Sequence, residues 1–350
     1  MTVDALELRR VVLPLVTPFR TAVDAHSTVE KLVVRAVTPA ASGWGECPVG
    51  LGPGSLASID AAWAALRDGP VAADALPAPA AAAVTTAVLD AELRASGTSL
   101  ASHLGAVRDA VDAGVAVGIP PSIGELLDEV ERRVSEGYRR IKLKIEPGWD
   151  LEPVAAVRER FGDDVALHVD GNGAYEVGDA AHLAALDAFG LLMLEQPLPV
   201  GDLDGHAELA RRVRTPICLD ESIRSEADLE RALAVGACSI VNVKAARLGG
   251  LSAAVRVHDR CVERNVPVWC GGMLETGVGR AANVALAALP GFTLPGDLSA
   301  SDRYFETDLT APFVLDDGRL VVPGGPGIGV EPHPDVLGRF TVATQMVPPP

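Results

Sequence analysis

The sequence is poor in aromatic residues and has no long uncharged apolar run. Aromatics make up 4% of the 350 residues although 48% are hydrophobic, so alanine, valine and leucine must fill most of the core. A long uncharged stretch, Ala75 to Leu89, is interrupted by Pro77 and Pro79. It is too short to span a membrane. The N-terminal MTVDALELRR has no signal-peptide-like apolar segment.

Cysteine is scarce and shows no ligand spacing. There are five cysteines, an odd number, and no CxxC motif, which predicts reduced thiols and a cytoplasmic location. Cys218 and Cys270 fall in predicted strands and are expected to be small packing residues.

Positive charge is also limited. Thirty Lys and Arg face 47 Asp and Glu, a formal net charge of −17, which argues against nucleic acid or an anionic membrane surface as partner. The charge does not exclude a small anionic substrate, which feels only the local field. Such a substrate would need nearby lysines, a metal ion or backbone N–H groups. The sequence therefore predicts a small-molecule partner.

The first third of the chain predicts a small α+β domain, spanning residues 1–110. Residues 5–50 have strand composition. Residues 57–67 and 82–96 have helical patterns, joined by a Pro- and Ala-rich connection near 70–80.

The pattern then changes to alternating strands and helices over 111–300. Eight evenly spaced strands with crossover helices favour a closed parallel α/β barrel, with a doubly wound sheet as the alternative. The Gly- and Pro-rich tail, 301–350, is expected to return to the first domain. The predicted strands are GVAVGI (114–119), RRIKLKIE (139–146), ALHVDGN (166–172), LLMLEQP (191–197), PICLDES (216–222), SIVNVKAA (239–246), PVWCGGM (267–273) and FTLPGDL (292–298).

Acidic residues follow three successive predicted strands. Asp170, Glu195 and Asp220 recur at intervals of 25 residues, and Lys244 comes 24 residues later. One strand, one helix and two loops occupy about that length in a βα repeat, so the carboxylates belong at neighbouring strand ends. Three hard oxygen ligands on one rim suit Mg²⁺.

Lysines flank these carboxylates on both sides. Lys142 and Lys144 are two residues apart in one strand and so point the same way. A metal ion would stabilise the enediolate formed when a proton next to a carboxylate is removed. Lys144 and Lys244 would stand on opposite sides of the substrate, as 1,1-proton transfer requires. The same arrangement suits a syn elimination.

Each residue alone has a simpler interpretation. A single Asp after a strand is typical of a helix cap or turn, and a KxK pair is typical of a solvated edge. The order and spacing of all six residues together nevertheless indicate a functional site.

These motifs resemble the enolase superfamily in its muconate-lactonizing-type branch. KLK, VDGN, LEQP, LDES and VNVK occur in the family order. RIKLKIEPGWD, LARRVRTPICLDES and VWCGGMLETGVGRAANVALAALPGFTLPGDLSASDR are similar to the o-succinylbenzoate synthase / N-acylamino-acid racemase subfamily. The likeness extends from near Leu6 to about Pro334 and is strongest over 138–315.

The resemblance implies a (β/α)₇β TIM-type barrel, with an N-terminal α+β capping domain completed by the C-terminal tail. It implies a homo-oligomer, a small carboxylate substrate, and Mg²⁺, with Mn²⁺ as a substitute. The implied residue roles are metal binding by Asp170, Glu195 and Asp220, acid/base catalysis by Lys144 and Lys244, auxiliary roles for Lys142, Asn172, Glu221 and Arg247, and substrate contact by Phe19, Gly271, Gly272 and Met273.

Some residues depart from the subfamily pattern. Ala116 replaces a serine in the first barrel strand, His168 replaces another polar residue, and the capping loop in the 50s is altered. Because the cap sets specificity, the physiological substrate, whether for dehydration, racemization or both, is not determined by sequence.

Two other functions remain alternatives. A dipeptide epimerase would carry a DxD pair at the end of the eighth strand, where this chain has Asp297 alone. A non-catalytic binding protein on the same fold should have lost a ligand or a lysine, and none is lost.

Overall fold

The computed structural model describes residues 2–20, 25–48, 59–67 and 75–348, without the side chains at 19, 20 and 25. The strands are β1 Ala5–Arg20, β2 Ala25–Val37, β3 Ser42–Pro48, β4 Ala110–Asp112, β5 Gly114–Val117, β6 Arg140–Lys144, β7 Leu167–Asp170, β8 Leu194–Glu195, β9 Ile217–Leu219, β10 Ile240–Val243, β11 Val268–Cys270, β12 Arg319–Val321 and β13 Thr341–Val347. The α-helices are α1 Ile59–Arg67, α2 Ala78–Ser96, α3 Leu100–Leu104, α4 Ile123–Ser135, α5 Leu151–Phe161, α6 Ala180–Leu183, α7 Leu203–Ala210, α8 Glu226–Val235, α9 Ala245–Leu248, α10 Leu251–Glu263, α11 Gly277–Ala287 and α12 Pro334–Phe340.

Both chain ends contribute to one antiparallel sheet, in the order β13-β1-β2-β3. Leu6 of β1 pairs with Val347 of β13, so the C-terminal tail returns to the N-terminal sheet as the sequence predicts. Lys31 and its neighbours on β2 pair with β3. This sheet and its helices form the capping unit.

Helix α2 packs closely on β3. A Cβ at Gly43 would lie 2.1 Å from the backbone nitrogen of Ala91, and one at Gly45 would lie 2.0 Å from the carbonyl oxygen of Ala83. Only glycine permits this approach. The helix begins at Ala78 rather than at the predicted residue 82. The predicted connection is therefore partly wrong, because a proline in the first turn, here Pro79, needs no hydrogen-bonded N–H.

The barrel strands lie parallel in the order β11-β10-β9-β8-β7-β6-β5. The eighth predicted strand, 292–298, forms only isolated parallel bridges, from Phe292 to Val268 and from Gly296 to Ala113. Pro295 lies between these bridges and cannot donate to a ladder. The bridges to β11 and to the residue before β5 place this segment between the first and last strands and close the barrel.

The barrel strands are buried along their whole length, as expected when helices cover a parallel sheet. The cap has a separate apolar cluster that includes Leu8, Leu32 and Val34. All five cysteines are free and buried. In the described part of the chain, no helix combines the length and hydropathy needed to cross a membrane.

Candidate active site

The six residues singled out by spacing meet at one end of the barrel. Lys144 on β6 is in register with Asp170 on β7, which is in register with Glu195 on β8. Asp220 follows β9 and Lys244 follows β10. Parallel strands end at the same face of a barrel, so residues separated by one βα repeat lie close together there.

Asp170 is held by the lysines of the neighbouring strand. Lys144 Nζ donates to Asp170 Oδ2 at 2.6 Å and to Asn172 Oδ1 at 2.7 Å. Burial alone would raise the pKa of Asp170, but Lys144 and Lys142 lower it to about 2. Asn172 also donates to Glu221 Oε1 at 3.0 Å, which links the segments that follow β7 and β9.

Asp220 occupies the opposite side of the site. Lys244 Nζ donates to Asp220 Oδ2 at 2.8 Å, and Arg247 contacts the other carboxylate oxygen. Arg247 is buried, which distinguishes it from an exposed loop salt bridge. Burial is the largest influence on the pKa of Lys244 and lowers it, but the charges of Asp220 and Glu221 together raise the net pKa above its ordinary value. For Lys244 to act as a neutral base, positive charge must be placed against Asp220.

Glu195 lies at the centre of the site and is fully buried. Lys142 Nζ is 3.1 Å from Glu195 Oε2 and 3.3 Å from Asp170 Oδ2. Burial and the charge of Asp170 nevertheless raise the pKa of Glu195 to about 8. Asn242 donates to the second oxygen, Glu195 Oε1, at 2.9 Å. Asn242 was not predicted, although its position two residues before Lys244 places both side chains on one face.

A second layer of polar residues lies deeper in the barrel. Arg140 Nη1 is 2.6 Å from His168 Nδ1, and His168 Nε2 is 2.7 Å from Glu195 Oε2. Arg140 also donates to Asp297 Oδ1 at 2.7 Å and stacks over Trp269. Sequence reasoning missed Arg140, but alternation along β6 places it on the face of Lys142 and Lys144.

A guanidinium can only donate, so the contact from Arg140 leaves His168 Nδ1 as the acceptor. The imidazole proton is then on Nε2 and is donated to Glu195. Burial, Arg140 and Lys142 hold the pKa of His168 well below its ordinary value, consistent with a neutral ring. His168 therefore connects the interior cation to the central carboxylate.

The lysines face a cavity of about 100 Å³. Its lining includes most of the residues that the resemblance implicates, with Arg280 and Tyr304 in addition. Ala116 lies in the lining, where a serine would place a hydroxyl. The side chain of Phe19 and the 50s loop lie outside the described residues. The lining is formed by Ala116, Lys142, Lys144, Asn172, Glu221, Lys244, Arg247, Gly272, Met273, Leu274, Glu275, Arg280, Asp297, Leu298 and Tyr304.

The predicted glycines allow close packing beside this cavity. A Cβ at Gly271 would lie 2.2 Å from Asn242 Oδ1 and 2.5 Å from Lys244 Cε. A Cβ at Gly272 would lie 2.3 Å from the carbonyl oxygen of Asp297. Gly271 thus fixes the space available to Lys244, while Gly272 and Met273 reach the cavity itself.

The donor set suits a hard divalent cation. Within the described residues, no three carboxylate, imidazole or thiol groups converge as a metal site, because lysines and Arg247 contact the carboxylates. Burial raises the pKa of Glu195 and of Glu221, and the charges of Asp170 and Asp220 raise both further, so the four carboxylates repel one another. In the described structure, Glu221 Oε2 is buried and accepts no hydrogen bond. Buried, mutually repelling oxygen donors fit Mg²⁺.

Comparisons with known proteins agree with this architecture. Residues 125–336 match the family model described as Enolase C-terminal domain-like. The chain is 56% identical to an N-succinylamino acid racemase of Amycolatopsis sp., covering 98% of each chain. It is 42% identical to an o-succinylbenzoate synthase of Geobacillus kaustophilus, covering 97% of this chain and 96% of the relative.

A solved structure extends the similarity to three dimensions. The crystal structure of an enolase-superfamily member from Listeria innocua has a TM-score of 0.92 and 35% identity over 99% of both chains. This chain therefore belongs to the enolase superfamily. Within it, the chain stands with the o-succinylbenzoate synthases and N-succinylamino acid racemases, to which it is similar over nearly its whole length. The predicted family and fold class are confirmed.

Proposed function

We propose that this protein is a Mg²⁺-dependent enzyme that removes the proton next to a substrate carboxylate. Its reaction is the dehydration that forms o-succinylbenzoate, the racemization of N-succinylamino acids, or both on one site. The relatives that carry these two names are similar over nearly the whole chain, which makes both substrates the first to test.

One observation carries the proposal: two lysines reach the same cavity from opposite sides of three carboxylates. Lys144 comes from the strand before them and Lys244 from the strand after them. A substrate carboxylate held between them would present one face of its α-carbon to each amine. Proton removal and return on opposite faces inverts the configuration.

Asp170, Glu195 and Asp220 would hold Mg²⁺, or Mn²⁺ in its place. When bound, the cation supplies positive charge that stabilises the enediolate form of the substrate carboxylate. Asn172 and Glu221 would orient the surrounding groups, since they bond each other beside Asp170.

In racemization, Lys144 Nζ takes the α-proton of one enantiomer and Lys244 Nζ delivers a proton to the opposite face. The roles reverse for the other enantiomer. In dehydration, Lys144 takes the α-proton and then protonates the departing hydroxide, which leaves as water. Lys244 stays protonated and stabilises the enediolate by its charge and by contact with the ring of the cyclohexadiene substrate. Lys142, paired with Glu195 and Asp297, keeps the site electrically compensated.

A dipeptide epimerase is the weaker alternative. Its substrate carries an amino group that needs an uncompensated carboxylate at the end of the eighth strand. Asp297 stands there, but Arg140 and Lys142 both contact it and hold its pKa well below the ordinary value. The charge of Asp297 is thus already balanced.

The test uses the full-length protein, stripped of metal by a chelator and assayed with and without MgCl₂. Loss of ultraviolet absorbance follows dehydration of the cyclohexadiene precursor of o-succinylbenzoate. Proton NMR in D₂O follows exchange of the α-proton of N-succinyl-L- and N-succinyl-D-amino acids. We expect Mg²⁺-dependent turnover of at least one substrate class.

The matched control is Lys142→Met beside Lys144→Met and Lys244→Met. All three remove one interior charge, but only the last two remove an amine assigned to proton transfer. Metal-bound wild-type protein that turns over neither substrate class would contradict the proposal. Activity retained in both Lys144→Met and Lys244→Met would contradict the assigned roles.

A further inference from the structure

The chain contains only four lysines, and none is exposed to solvent. Lys142, Lys144 and Lys244 lie in the active site. The fourth, Lys31, is on β2 of the capping sheet, and only 1% of it is exposed. Because Lys31 is buried, it does not belong to a solvated surface. Its position needs a separate explanation.

Lys31 crosses from the cap to the loop that lines the cavity. Alternate residues of β2 face opposite ways: Val29 and Val33 join the main core shared with the barrel, while Leu32 and Val34 join the separate cap core. Lys31 is on the barrel side, and its Nζ donates to the carbonyl oxygen of Met273 at 2.8 Å. Met273 lines the active-site cavity.

Glu46 accepts hydrogen bonds at the other end of the same loop, near Thr276. It lies on β3, paired with Val33 and so beside Lys31 on the barrel-facing side. Its carboxylate accepts hydrogen bonds from the backbone N–H of Thr276 at 3.1 Å, the hydroxyl of Thr276 at 2.6 Å and the N–H of Gly279 at 2.9 Å. These donors form the start of the eleven-residue helix α11, where a negative charge is favourable.

The loop between these contacts is conformationally strained. Leu274 has φ of +53°, a left-handed conformation that a leucine rarely adopts. Such conformations persist where surrounding contacts enforce them. The N–H of Met273 bonds Glu275 Oε2 at 2.8 Å and its carbonyl bonds Lys31, so both backbone groups before Leu274 are held by charged side chains.

The opposite charges of Lys31 and Glu46 also stabilise each other. Burial lowers the pKa of Lys31, and Glu46 and Glu275 oppose that shift. Burial raises the pKa of Glu46 to about 7 in spite of Lys31. Removing either charge leaves the other buried with less compensation.

We propose that Lys31 and Glu46 are positioning residues by which the capping sheet holds the substrate-binding loop, residues 271–276, in its strained, binding-competent form. Lys31 fixes the Met273 end and Glu46 fixes the Thr276 end. Neither touches the reacting atoms. The consequence for substrate affinity rests on the proposed function, but the mechanical coupling of cap and loop does not.

The experiment compares Lys31→Met with Val34→Ala, its neighbour on the opposite face of β2. Lys31→Met keeps most of the side-chain length and removes the charged donor, whereas Val34→Ala loosens the cap core without touching the loop. Hydrogen exchange of the 273–276 amides, read by mass spectrometry, reports on the loop directly. We expect about tenfold faster exchange in Lys31→Met and unchanged exchange there in Val34→Ala.

Kinetics provide the second measurement. Since the loop contacts the substrate before and during reaction, its displacement weakens the binding of substrate and transition state equally. KM should rise about tenfold in Lys31→Met, with kcat changed about twofold or less, and neither should change in Val34→Ala. If Lys31→Met does not fold, Glu46→Gln replaces it, with faster exchange expected at 276 and 279.

Unchanged loop exchange in Lys31→Met, or in Glu46→Gln where it is the variant used, would overturn the proposal. An equal response to Val34→Ala would also overturn it, because the effect would then follow from a weakened cap alone. A wild-type protein with no activity on either substrate class would instead refute the proposed function. The exchange data would still decide whether Lys31 and Glu46 hold the loop.

Discussion

Replacing His168 tests whether the interior polar layer prepares Glu195 for metal binding. The imidazole Nδ1 accepts a hydrogen bond from Arg140 at 2.6 Å, and its Nε2–H donates to Glu195 Oε2 at 2.7 Å. His168→Leu removes both contacts at similar volume. His168→Gln keeps one acceptor and one donor group on a side chain that reaches a similar distance.

The magnitude follows from the contact that is lost. A hydrogen bond to a charged group contributes about 1.5 to 3 kcal/mol. Loss of such an outer partner lowers metal affinity roughly 10- to 100-fold. We expect His168→Leu to raise the Mg²⁺ dissociation constant within that range. His168→Gln should stay within about threefold of wild type, because the amide restores the contact to Glu195.

Isothermal titration of the metal-free proteins with MgCl₂ gives the dissociation constants without relying on turnover. Thermal unfolding in the absence of metal shows whether each variant retains its fold. Equal affinity in His168→Leu and wild type would refute the reasoning. Equal loss in the Leu and Gln variants would show that ring packing against Trp269, 5.5 Å between centroids, matters more than the hydrogen bond.

Three further predictions address catalysis, loop packing and pH. Lys144→Ala and Lys244→Ala should each lower racemization at least about 100-fold while melting normally. Gly271→Ala should lower kcat at least about tenfold. The added Cβ would lie 2.5 Å from Lys244 Cε, which is too close, so the lysine side chain would have to move. Glu46 binds its proton more tightly when folded, its pKa rising from 4.5 to about 7, so the free energy of unfolding should fall by roughly 3 kcal/mol as pH rises through that interval. Glu46→Gln should remove this slope.

Each prediction has a clear opposing result. α-Proton exchange of both enantiomers at wild-type rates in either lysine variant, followed by NMR in D₂O, would exclude the two-base scheme. A wild-type kcat in Gly271→Ala would show that Lys244 tolerates displacement. Urea unfolding at pH 4.5 and 7.5 measures the Glu46 effect, and an identical pH slope in wild type and Glu46→Gln would assign the slope to other groups.

The sequence by itself determined the repeating pattern of the barrel and the main residues of the site. Regular spacing sufficed to predict that Asp170, Glu195 and Asp220 lie close together, because every βα unit starts and ends at the same two faces of the barrel. Alternation within β6 and β10 also places Arg140 and Asn242 on the same strand faces as the site lysines, so both positions are implied by the sequence. These are local rules, set by backbone geometry and chain length.

Only the tertiary structure decided which side chains meet across distant segments. Lys31 and Met273 are 242 residues apart, and Glu46 and Thr276 are 230 apart. No period or motif connects such pairs. Their contact depends on how the cap sits on the barrel, which is set by packing of whole surfaces. The direction of the His168 hydrogen bonds likewise depends on Arg140 being a donor from another strand, and spacing carries no such information.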